Sequence, residues 1–306
     1  TNNNGNMLGC HLLPGAENNL PGSEITFDGE TIWTEHNDDF LHHDIIRLPS
    51  GNYLGIVETS SMGAIPVGGW TSLFQGLGFQ ADGVTVEFPW IGDKLVEWDK
   101  DTKEVVWSWN VFDHFSMSDY DQIGGTWTEA YISLHYDWTH VNALDYSYEE
   151  NAIYISCRHL SRVTKINFNI NDYSDPANGD IIWNIGQEMP SGDIDCGEDL
   201  NFSWQHSISI LENGNIVTFD NGNLSTDFDS SLGQPISRIV EIDLNENINL
   251  DINLKWKSTS FYDDFLNLNN YSNSGGWIVE NSILKSQQDF LYNHQVNDIL
   301  TSNQEF

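Results

Sequence analysis

Tryptophan recurs at one position of a repeated strand pattern in this chain. Each of four tryptophans closes a short run of alternating apolar and polar residues, and they stand at positions 33, 107, 183 and 256, at spacings of 74, 76 and 73 residues. Self-similarity at a long period indicates an array of equivalent units, none of which buries its apolar face alone. The chain is therefore predicted to contain four copies of one structural unit.

Each unit is predicted to consist of two β-hairpins. One hairpin follows His43 and another follows His206, and a Gly-Asn turn places Asn52 and Asn215 nine residues after these histidines. Alternating apolar residues on both sides of such a turn favour a hairpin. A third copy follows His140 with a longer turn. A second hairpin then ends each unit at its tryptophan, which gives four antiparallel strands per unit.

Four-stranded antiparallel units that repeat around an axis are typical of a β-propeller, because radial repetition protects the sheet edges. We therefore predict an all-β chain that forms one propeller domain over residues 1–306, with about four blade repeats readable. Residues 257–306 are predicted to be an irregular or partial blade. The segment 60–92 is rich in glycine and aromatic residues, and is predicted to be a long loop that forms a lid or wall over one face.

Three histidines occupy one position of this repeat. His43, His140 and His206 each stand at the start of the first strand of a unit. The first strand of a propeller blade lines the central channel, so equivalent positions in successive blades lie around one axis. The repeat thus predicts that three imidazoles converge, although a histidine can also begin a strand merely to satisfy a turn. Alternation allows only one of His42 and His43 to point inward, and the register favours His43.

Arg158 follows the second strand of the His140 hairpin, and alternation places it on the same face as Ser156 and Tyr154. A guanidinium is a fixed cation whose N–H donors match the oxygens of phosphate or sulfate. A buried salt bridge is the alternative role for this arginine. Three imidazoles also suit zinc, but the spacing lacks a local metal motif and an adjacent arginine opposes a dication. No metal or other cofactor is therefore predicted.

The charge of the chain limits its partners. Eleven Lys and Arg face 46 Asp and Glu, which gives a net charge of −35. Such a surface repels nucleic acid and anionic membranes, and the sequence has no apolar run long enough to cross a bilayer. We therefore expect neither nucleic-acid binding nor membrane insertion. The sequence starts at Thr1 and shows no signal peptide, which is consistent with a processed or trimmed product.

The three cysteines show no zinc-binding spacing. Cys157 lies in an alternating apolar run and is predicted to be a buried thiol, whereas Cys10 and Cys196 are candidates for a disulfide.

Several runs of the sequence resemble the signature motifs of the bacterial aryl-sulfate sulfotransferases. They stand in the same order over roughly residues 25–256: His43-Asp44, Asp93-Lys-Leu-Val-Glu-Trp-Asp99, Asp137-Trp-Thr-His-Val-Asn142, Ile155-Ser-Cys-Arg-His-Leu160, Trp204-Gln-His-Ser-Ile208 and Phe219-Asp-Asn-Gly222. The resemblance implies a six-bladed propeller, secreted or periplasmic. It also implies transfer of a sulfuryl group from a phenolic sulfate ester to a phenol, in ping-pong fashion through a sulfohistidine and without a nucleotide sulfate donor.

Carried onto these motifs, the resemblance implies a set of site residues: the nucleophile His206, the sulfuryl ligands His140 and Arg158, the phenol-handling His43, and the substrate contacts Asn142 and Asn221. The expected partners are therefore a small aryl sulfate and a phenol. Two alternatives stay open. One is a catalytically inactive propeller that serves as a binding or surface-assembly module, and the other is a metal-dependent hydrolase or lyase.

Three loops, at 60–92, 110–136 and 186–203, are expected to set the choice of acceptor. Aromatic walls suit a phenol ring, and ordinary loop packing explains the same composition equally well. The aromatic residues concerned are Trp70, Phe74, Phe88, Trp90, Phe112, Phe115, Trp127, Tyr131 and Tyr136.

Overall fold

The structure is a computed structural model that describes residues 5–10, 21–35, 41–123, 125–245 and 251–257. Within these ranges the strands are β1 (Met7–Cys10), β2 (Gly22–Ile25), β3 (Thr31–Thr34), β4 (Leu41–Arg47), β5 (Tyr53–Ala64), β6 (Val86–Trp98), β7 (Val105–Asn110), β8 (Tyr136–Asp137), β9 (Val141–Ser147), β10 (Ala152–Cys157), β11 (Arg162–Asn167), β12 (Ile181–Gly186), β13 (His206–Ile210), β14 (Ile216–Asp220), β15 (Arg238–Asn245) and β16 (Asp251–Lys257). The short helices are α1 (Thr71–Gly76), α2 (Val111–His114), α3 (Thr126–Ser133) and α4 (Ser225–Phe228), and a 3-10 turn covers Glu198–Leu200.

The strands form four antiparallel sheets that follow one another along the chain. The first sheet holds β1 to β3, the second β4 to β7, the third β9 to β12 and the fourth β13 to β16, each in chain order. Strand β8 joins the second sheet through a parallel pair with β6. This arrangement confirms the predicted all-β class. Positions 33, 107, 183 and 256 lie in β3, β7, β12 and β16, the last strand of each sheet, whereas residues 258–306 lie outside the described residues.

The repeated Gly-Asn turns have the same structural role in two sheets. Asn52 donates a hydrogen bond of 2.8 Å to the buried carboxylate of Glu97, and Asn215 donates one of 2.5 Å to Glu241. In both turns the glycine before the asparagine has a positive φ, 91° and 83°, which favours glycine. A buried carboxylate needs a hydrogen-bond donor, so the asparagine of each turn stabilises the third strand of its sheet.

The first strands of the four sheets lie next to one another in chain order, because β1 contacts β4, β4 contacts β9, and β9 contacts β13. One aspartate side chain forms a hydrogen bond from β4 to β9, and another forms one from β9 to β13. Asp44 Oδ2 accepts from the backbone N–H of Leu144 at 3.2 Å, and Asp145 Oδ2 accepts from that of Ile210 at 2.9 Å. Burial raises the pKa of Asp44 to about 6. These bonds hold β4, β9 and β13 side by side.

Segment 60–92 differs from the predicted loop at both of its ends. Strands β5 and β6 stay paired as far as Ala64 and Val86, so the hairpin extends well beyond the other strands of its sheet. The prediction of a loop is therefore wrong for these ends, because the strand ladder continues. Between them the chain includes the short helix α1.

The aromatic residues of this extension and of segment 110–136 pack mainly against one another. Phe74, Phe88 and Trp127 have no exposed surface, and the rings of Trp127 and Tyr136 stack with centroids 3.9 Å apart. Trp90 is 2% exposed and meets the same group edge-on. Buried aromatic pairs of this kind stabilise a core. Loop packing, rather than an open aromatic wall, therefore explains these residues.

The suggested disulfide between Cys10 and Cys196 is wrong, because all three cysteines are free thiols. Cys10 lies in β1 of the first sheet, whereas the backbone of Cys196 forms an isolated β-bridge with that of Ile185 in the third sheet. Cys157 has no exposed surface, which confirms the prediction of a buried thiol. The described helices include none that is long and apolar enough to cross a membrane.

Candidate functional site

Irregular strand starts position the three predicted histidines. His43 lies at a register shift in β4 and has a left-handed φ of 57°, and His140, directly before β9, has a φ of 48°. His206 begins β13 at another register shift, where the next residue, Ser207, has a φ of 60°. Left-handed backbone is uncommon outside glycine and concentrates at functional sites. Bulges at these places re-aim the side chains away from the ordinary alternation.

The structure brings the three histidines together. One ring nitrogen each from His43, His140 and His206 lies within 4.8 Å of the other two. The rings of His43 and His140 meet edge to face, with centroids 4.9 Å apart. We call these three residues the histidine cluster.

Each ring of the histidine cluster uses its Nδ1 atom for a hydrogen bond to a supporting side chain. The pairs are His43 Nδ1 with His42 Nδ1 at 2.7 Å, His140 Nδ1 with Asp137 Oδ2 at 2.6 Å, and His206 Nδ1 with Asn221 Nδ2 at 2.8 Å. Such a partner fixes the orientation and the tautomer of a histidine. The Nδ1 atoms are therefore engaged, which makes the Nε2 atoms the candidates for contact with a ligand; His206 also has a hydrogen bond to the backbone of Trp204.

Arg158 lies beside the cluster in a turn after β10, where its N–H donates to the carbonyl of His140 at 3.1 Å. Its guanidinium covers the ring of Trp204 at 4.3 Å and donates from Nη1 to His159 Nε2 at 2.5 Å. His159 Nδ1 in turn bonds the carbonyl of Asp137 at 2.7 Å. Burial lowers the pKa of His159 to about 4, so this imidazole is neutral and accepts the hydrogen bond from the arginine.

The surroundings keep two members of the cluster neutral. Burial, and then the positive charges of Arg158 and His140, lowers the pKa of His206. Burial, and then the charges of His140 and His42, lowers the pKa of His43 to about 4. A neutral imidazole has a lone pair that can attack an electrophile or accept a proton. The site therefore combines a fixed cation with nitrogen nucleophiles, a pattern that suits a bound oxyanion.

The two predicted substrate contacts occupy different places. Asn221 touches the His206 ring, whereas Asn142 is buried and donates from Nδ2 to the carbonyl of Gln205 at 2.8 Å. Gln205 is itself buried and donates to the carbonyl of Arg162 at 2.9 Å. Asn142 and Gln205 thus support the start of β13, and direct contact of either asparagine with a substrate remains a prediction.

Sequence reasoning missed the residues that support the cluster from behind. Alternation excludes His42, but the bulge at His43 interrupts that alternation, and His42 Nε2 lies 3.0 Å from Asp93 Oδ1. Asp137 had a detectable signal, since it precedes His140 by three residues within one motif. Gln205 and His159 are also adjacent to predicted site residues, yet adjacency alone does not show which side chain they would contact.

A cavity of about 110 Å³ lies beside the arginine side of the site. Two of the three loops predicted to set acceptor choice, 110–136 and 186–203, contribute to its wall. The lining residues are Tyr120, Asp121, Gln122, Ile123, His159, Ser161, Gln187, Glu188, Met189, Leu224 and Phe228.

Similar solved structures include a protein of unknown function from Bacteroides caccae, with 11% identity over 85% of this chain and 58% of that chain and a TM-score of 0.39. A luciferin-regenerating enzyme is similar at 14% identity over 83% of this chain and 63% of that chain, with a TM-score of 0.37. A hypothetical selenium-binding protein from Sulfolobus tokodaii is similar at 12% identity (83% and 63%, 0.37). This chain spans less than two thirds of the length of each of these three proteins.

A search of curated proteins gave no match. The model of the arylsulfotransferase (ASST) family matches residues 80–289, which is well over half of the chain and includes every predicted site residue except His43. The chain therefore belongs to the arylsulfotransferase family.

Proposed function

We propose that this protein is an aryl-sulfate sulfotransferase, which moves a sulfuryl group from a phenolic sulfate ester to a phenolic acceptor without a nucleotide donor. The observation that carries the proposal is the histidine cluster itself, in which three converging rings with engaged Nδ1 atoms lie beside the Arg158 guanidinium. Membership of the arylsulfotransferase family supports the same reaction class. The cavity lined by His159, the hydrogen-bond partner of Arg158, is the candidate place for the acceptor ring.

In the donor half-reaction, His206 Nε2 attacks the sulfur of the aryl sulfate. The N–S bond forms while the S–O bond to the aryl group breaks, and the aryloxide leaves. Asn221 Nδ2 faces His206 Nδ1 at 2.8 Å. With this amide flipped, its oxygen would instead accept the Nδ1 proton and leave the Nε2 lone pair free for the attack. Arg158 and His140 donate hydrogen bonds to the sulfuryl oxygens, where charge is concentrated.

In the acceptor half-reaction, the phenol gives its proton to His43 Nε2 and its oxygen attacks the sulfur. The N–S bond breaks, so His206 regains its lone pair and the new aryl sulfate leaves. In the next donor half-reaction the His43 imidazolium gives this proton to the departing aryloxide, and the negative charge of a bound sulfate ester favours that protonated form over the neutral form of the free site. A single imidazole can serve as base and then as acid because each half-reaction leaves it in the protonation state that the other one requires.

We also propose that the four sheets are blades of a propeller, six-bladed when complete, in a single secreted or periplasmic domain. The support is that β1, β4, β9 and β13 lie side by side in chain order, each as the first strand of its sheet. The strongly acidic composition suits a solvated surface outside the cell.

The substitution His206→Asn tests the nucleophile. We expect turnover of 4-nitrophenyl sulfate with phenol to fall by about 10³-fold or more, because loss of a nucleophile leaves only the binding contribution. Intact-protein mass spectrometry with donor and without acceptor should show one added sulfuryl group on the wild type and none on the variant. His114→Asn is the matched control, since His114 stacks on Trp109 outside the cluster. Full turnover by His206→Asn would overturn the assignment.

A metal-dependent hydrolase is the second candidate, because three histidines with engaged Nδ1 atoms also form the donor set of a zinc site. Elemental analysis of the purified protein, combined with chelation, separates the two functions. We expect turnover to continue after chelation. Stoichiometric metal together with hydrolysis that stops on chelation would favour the hydrolase. A wild type with neither turnover nor a covalent adduct would instead favour a binding module.

A further inference from the structure

Behind His43, two side chains extend a line of hydrogen bonds away from the histidine cluster. His42 Nδ1 lies 2.7 Å from His43 Nδ1, and His42 Nε2 lies 3.0 Å from Asp93 Oδ1. The rings of the two adjacent histidines meet edge to face, with centroids 4.9 Å apart. Asp93, His42 and His43 are therefore joined in series by hydrogen bonds, and His43 at the end of the series belongs to the histidine cluster.

The donors and acceptors in this series determine where the protons lie. The Asp93 carboxylate only accepts, so His42 Nε2 carries a hydrogen and donates it. A neutral His42 then has its lone pair on Nδ1, and His43 must donate to it from its own Nδ1. The free lone pair of His43 consequently lies on Nε2, the atom that its ring keeps for the cluster.

Asp93 is fixed in place by other bonds. It is 4% exposed, and its Oδ2 accepts from the N–H of Val141 at 2.7 Å and from the Thr139 hydroxyl. These partners flank His140, so the same carboxylate fastens β6 to the start of β9. A buried and fully bonded carboxylate holds its orientation, which is what a histidine needs from its partner.

The Asp93 carboxylate favours positive charge on both His42 and His43. Burial lowers the pKa of His42. The hydrogen bond and the charge of Asp93, together with the charges of Glu58 and Asp137, raise this pKa by more than burial lowers it, so the net shift is upward. The charge of Asp93 also raises the pKa of His43, whereas a positive charge on His42 would lower it, so a proton taken up by His43 is stabilised by Asp93 while His42 stays neutral.

We propose that Asp93 and His42 are positioning residues, which hold His43 in the tautomer with a free Nε2 and stabilise the imidazolium that forms when His43 takes the proton of the phenol. The proposal rests on the proposed function. The proton passes from the phenol oxygen to His43 Nε2 as the new O–S bond forms and the N–S bond breaks. In the donor half-reaction it passes to the departing aryloxide oxygen, so no further reactant is needed.

Leaving-group dependence distinguishes this role from a structural one. For His42→Phe we expect the rate of the donor half-reaction, measured as formation of the sulfated enzyme, to fall by less than about 3-fold with 4-nitrophenyl sulfate, whose leaving group needs little protonation. With phenyl sulfate we expect about 10- to 100-fold loss, because general acid catalysis matters most for a basic leaving group. His42→Asn keeps an oxygen that can accept from His43 Nδ1 and should recover part of this loss. An equal loss with both donors would overturn the proposal, and His114→Phe controls for the removal of a histidine.

A measurement without turnover tests the tautomer itself. Nitrogen-15 chemical shifts of labelled wild-type protein should show His43 with a protonated Nδ1 and an unprotonated Nε2, and His42→Phe should remove this preference. A wild-type His43 protonated on Nε2 would overturn the proposal even if sulfuryl transfer proceeds. The expected tautomer in a protein that transfers no sulfuryl group would sustain the positioning role and contradict only the proposed function.

Discussion

His43 and His206 occupy equivalent positions in the first strands of two hairpins, yet the groups behind them differ. His43 is supported by His42 and, through it, by the Asp93 carboxylate, whereas His206 is supported by the neutral amide of Asn221. In the proposed mechanism His43 gains a proton during the reaction, and a carboxylate stabilises that charge. His206 must keep a lone pair and later release its sulfuryl group, so a partner that stabilised the charged ring would slow the release.

The cation beside His206 completes this contrast. The charge of Arg158, after burial, lowers the pKa of His206, and no carboxylate is described as its hydrogen-bond partner among the residues that the structure covers. The two histidines thus suit opposite tasks although they occupy one position of the repeat. Equivalent positions in a repeated fold can therefore diverge in chemistry through the residues that stand behind them.

Arg158→Gln should give the largest effect on this contrast. We expect kcat/KM for aryl sulfate to fall by about 10²- to 10³-fold, since the variant removes a fixed donor from the charged sulfuryl oxygens. The measurement is steady-state turnover with 4-nitrophenyl sulfate. Arg158→Lys keeps the charge without the planar guanidinium, so its kcat/KM should lie between those of the wild type and Arg158→Gln. Unchanged kcat/KM in Arg158→Gln would show that Arg158 does not stabilise the sulfuryl group during the reaction.

Asn221→Asp would make the surroundings of His206 resemble those of His43. A carboxylate next to an imidazole favours its charged form and raises its pKa by about 1–3 units. We expect turnover to fall by about 10- to 100-fold and the sulfohistidine to persist longer after the donor is removed, as followed by rapid-quench mass spectrometry. Asn221→Ala removes the hydrogen bond without adding charge. If the two variants behaved alike, the charge behind His206 would be irrelevant.

His159→Gln should give the smallest effect, and on stability rather than on turnover. The pKa of His159 is about 4 in the folded protein, against about 6.5 in an unfolded chain. Between these values the unfolded chain binds more protons, so this group makes the protein less stable as the pH falls. Glutamine can keep both hydrogen bonds without titrating. From pH 6.5 to 5.5, the wild type should lose about 1 kcal/mol of unfolding free energy relative to the variant.

Urea unfolding at the two pH values measures this difference. The neighbouring His140 and Asp137 are present in both proteins, so their titration largely cancels in the comparison. A difference that does not change with pH would show that His159 is charged in the folded state, or that it is exposed to water.

Much of the fold could be predicted from local pattern. The Gly-Asn turns, the alternating strands and the recurring tryptophan predicted hairpins and an all-β class, because turn geometry and the two-residue period of a strand are local properties. The same repeat placed His43, His140 and His206 at equivalent strand starts. Aromatic composition predicted less, since it did not distinguish a ligand wall from the packed group around Trp127.

The sequence by itself thus determined the strand units and named the three imidazoles. Only the tertiary structure decided which groups stand behind them, because Asp93 meets His42 across 51 positions of sequence and Asn221 meets His206 across 15. The bulge at His43 also allows His42, which strand alternation had excluded from the site, to form a hydrogen bond with His43. Alternation describes a regular strand, whereas the tautomer of a histidine depends on contacts that form only when distant strands pack together.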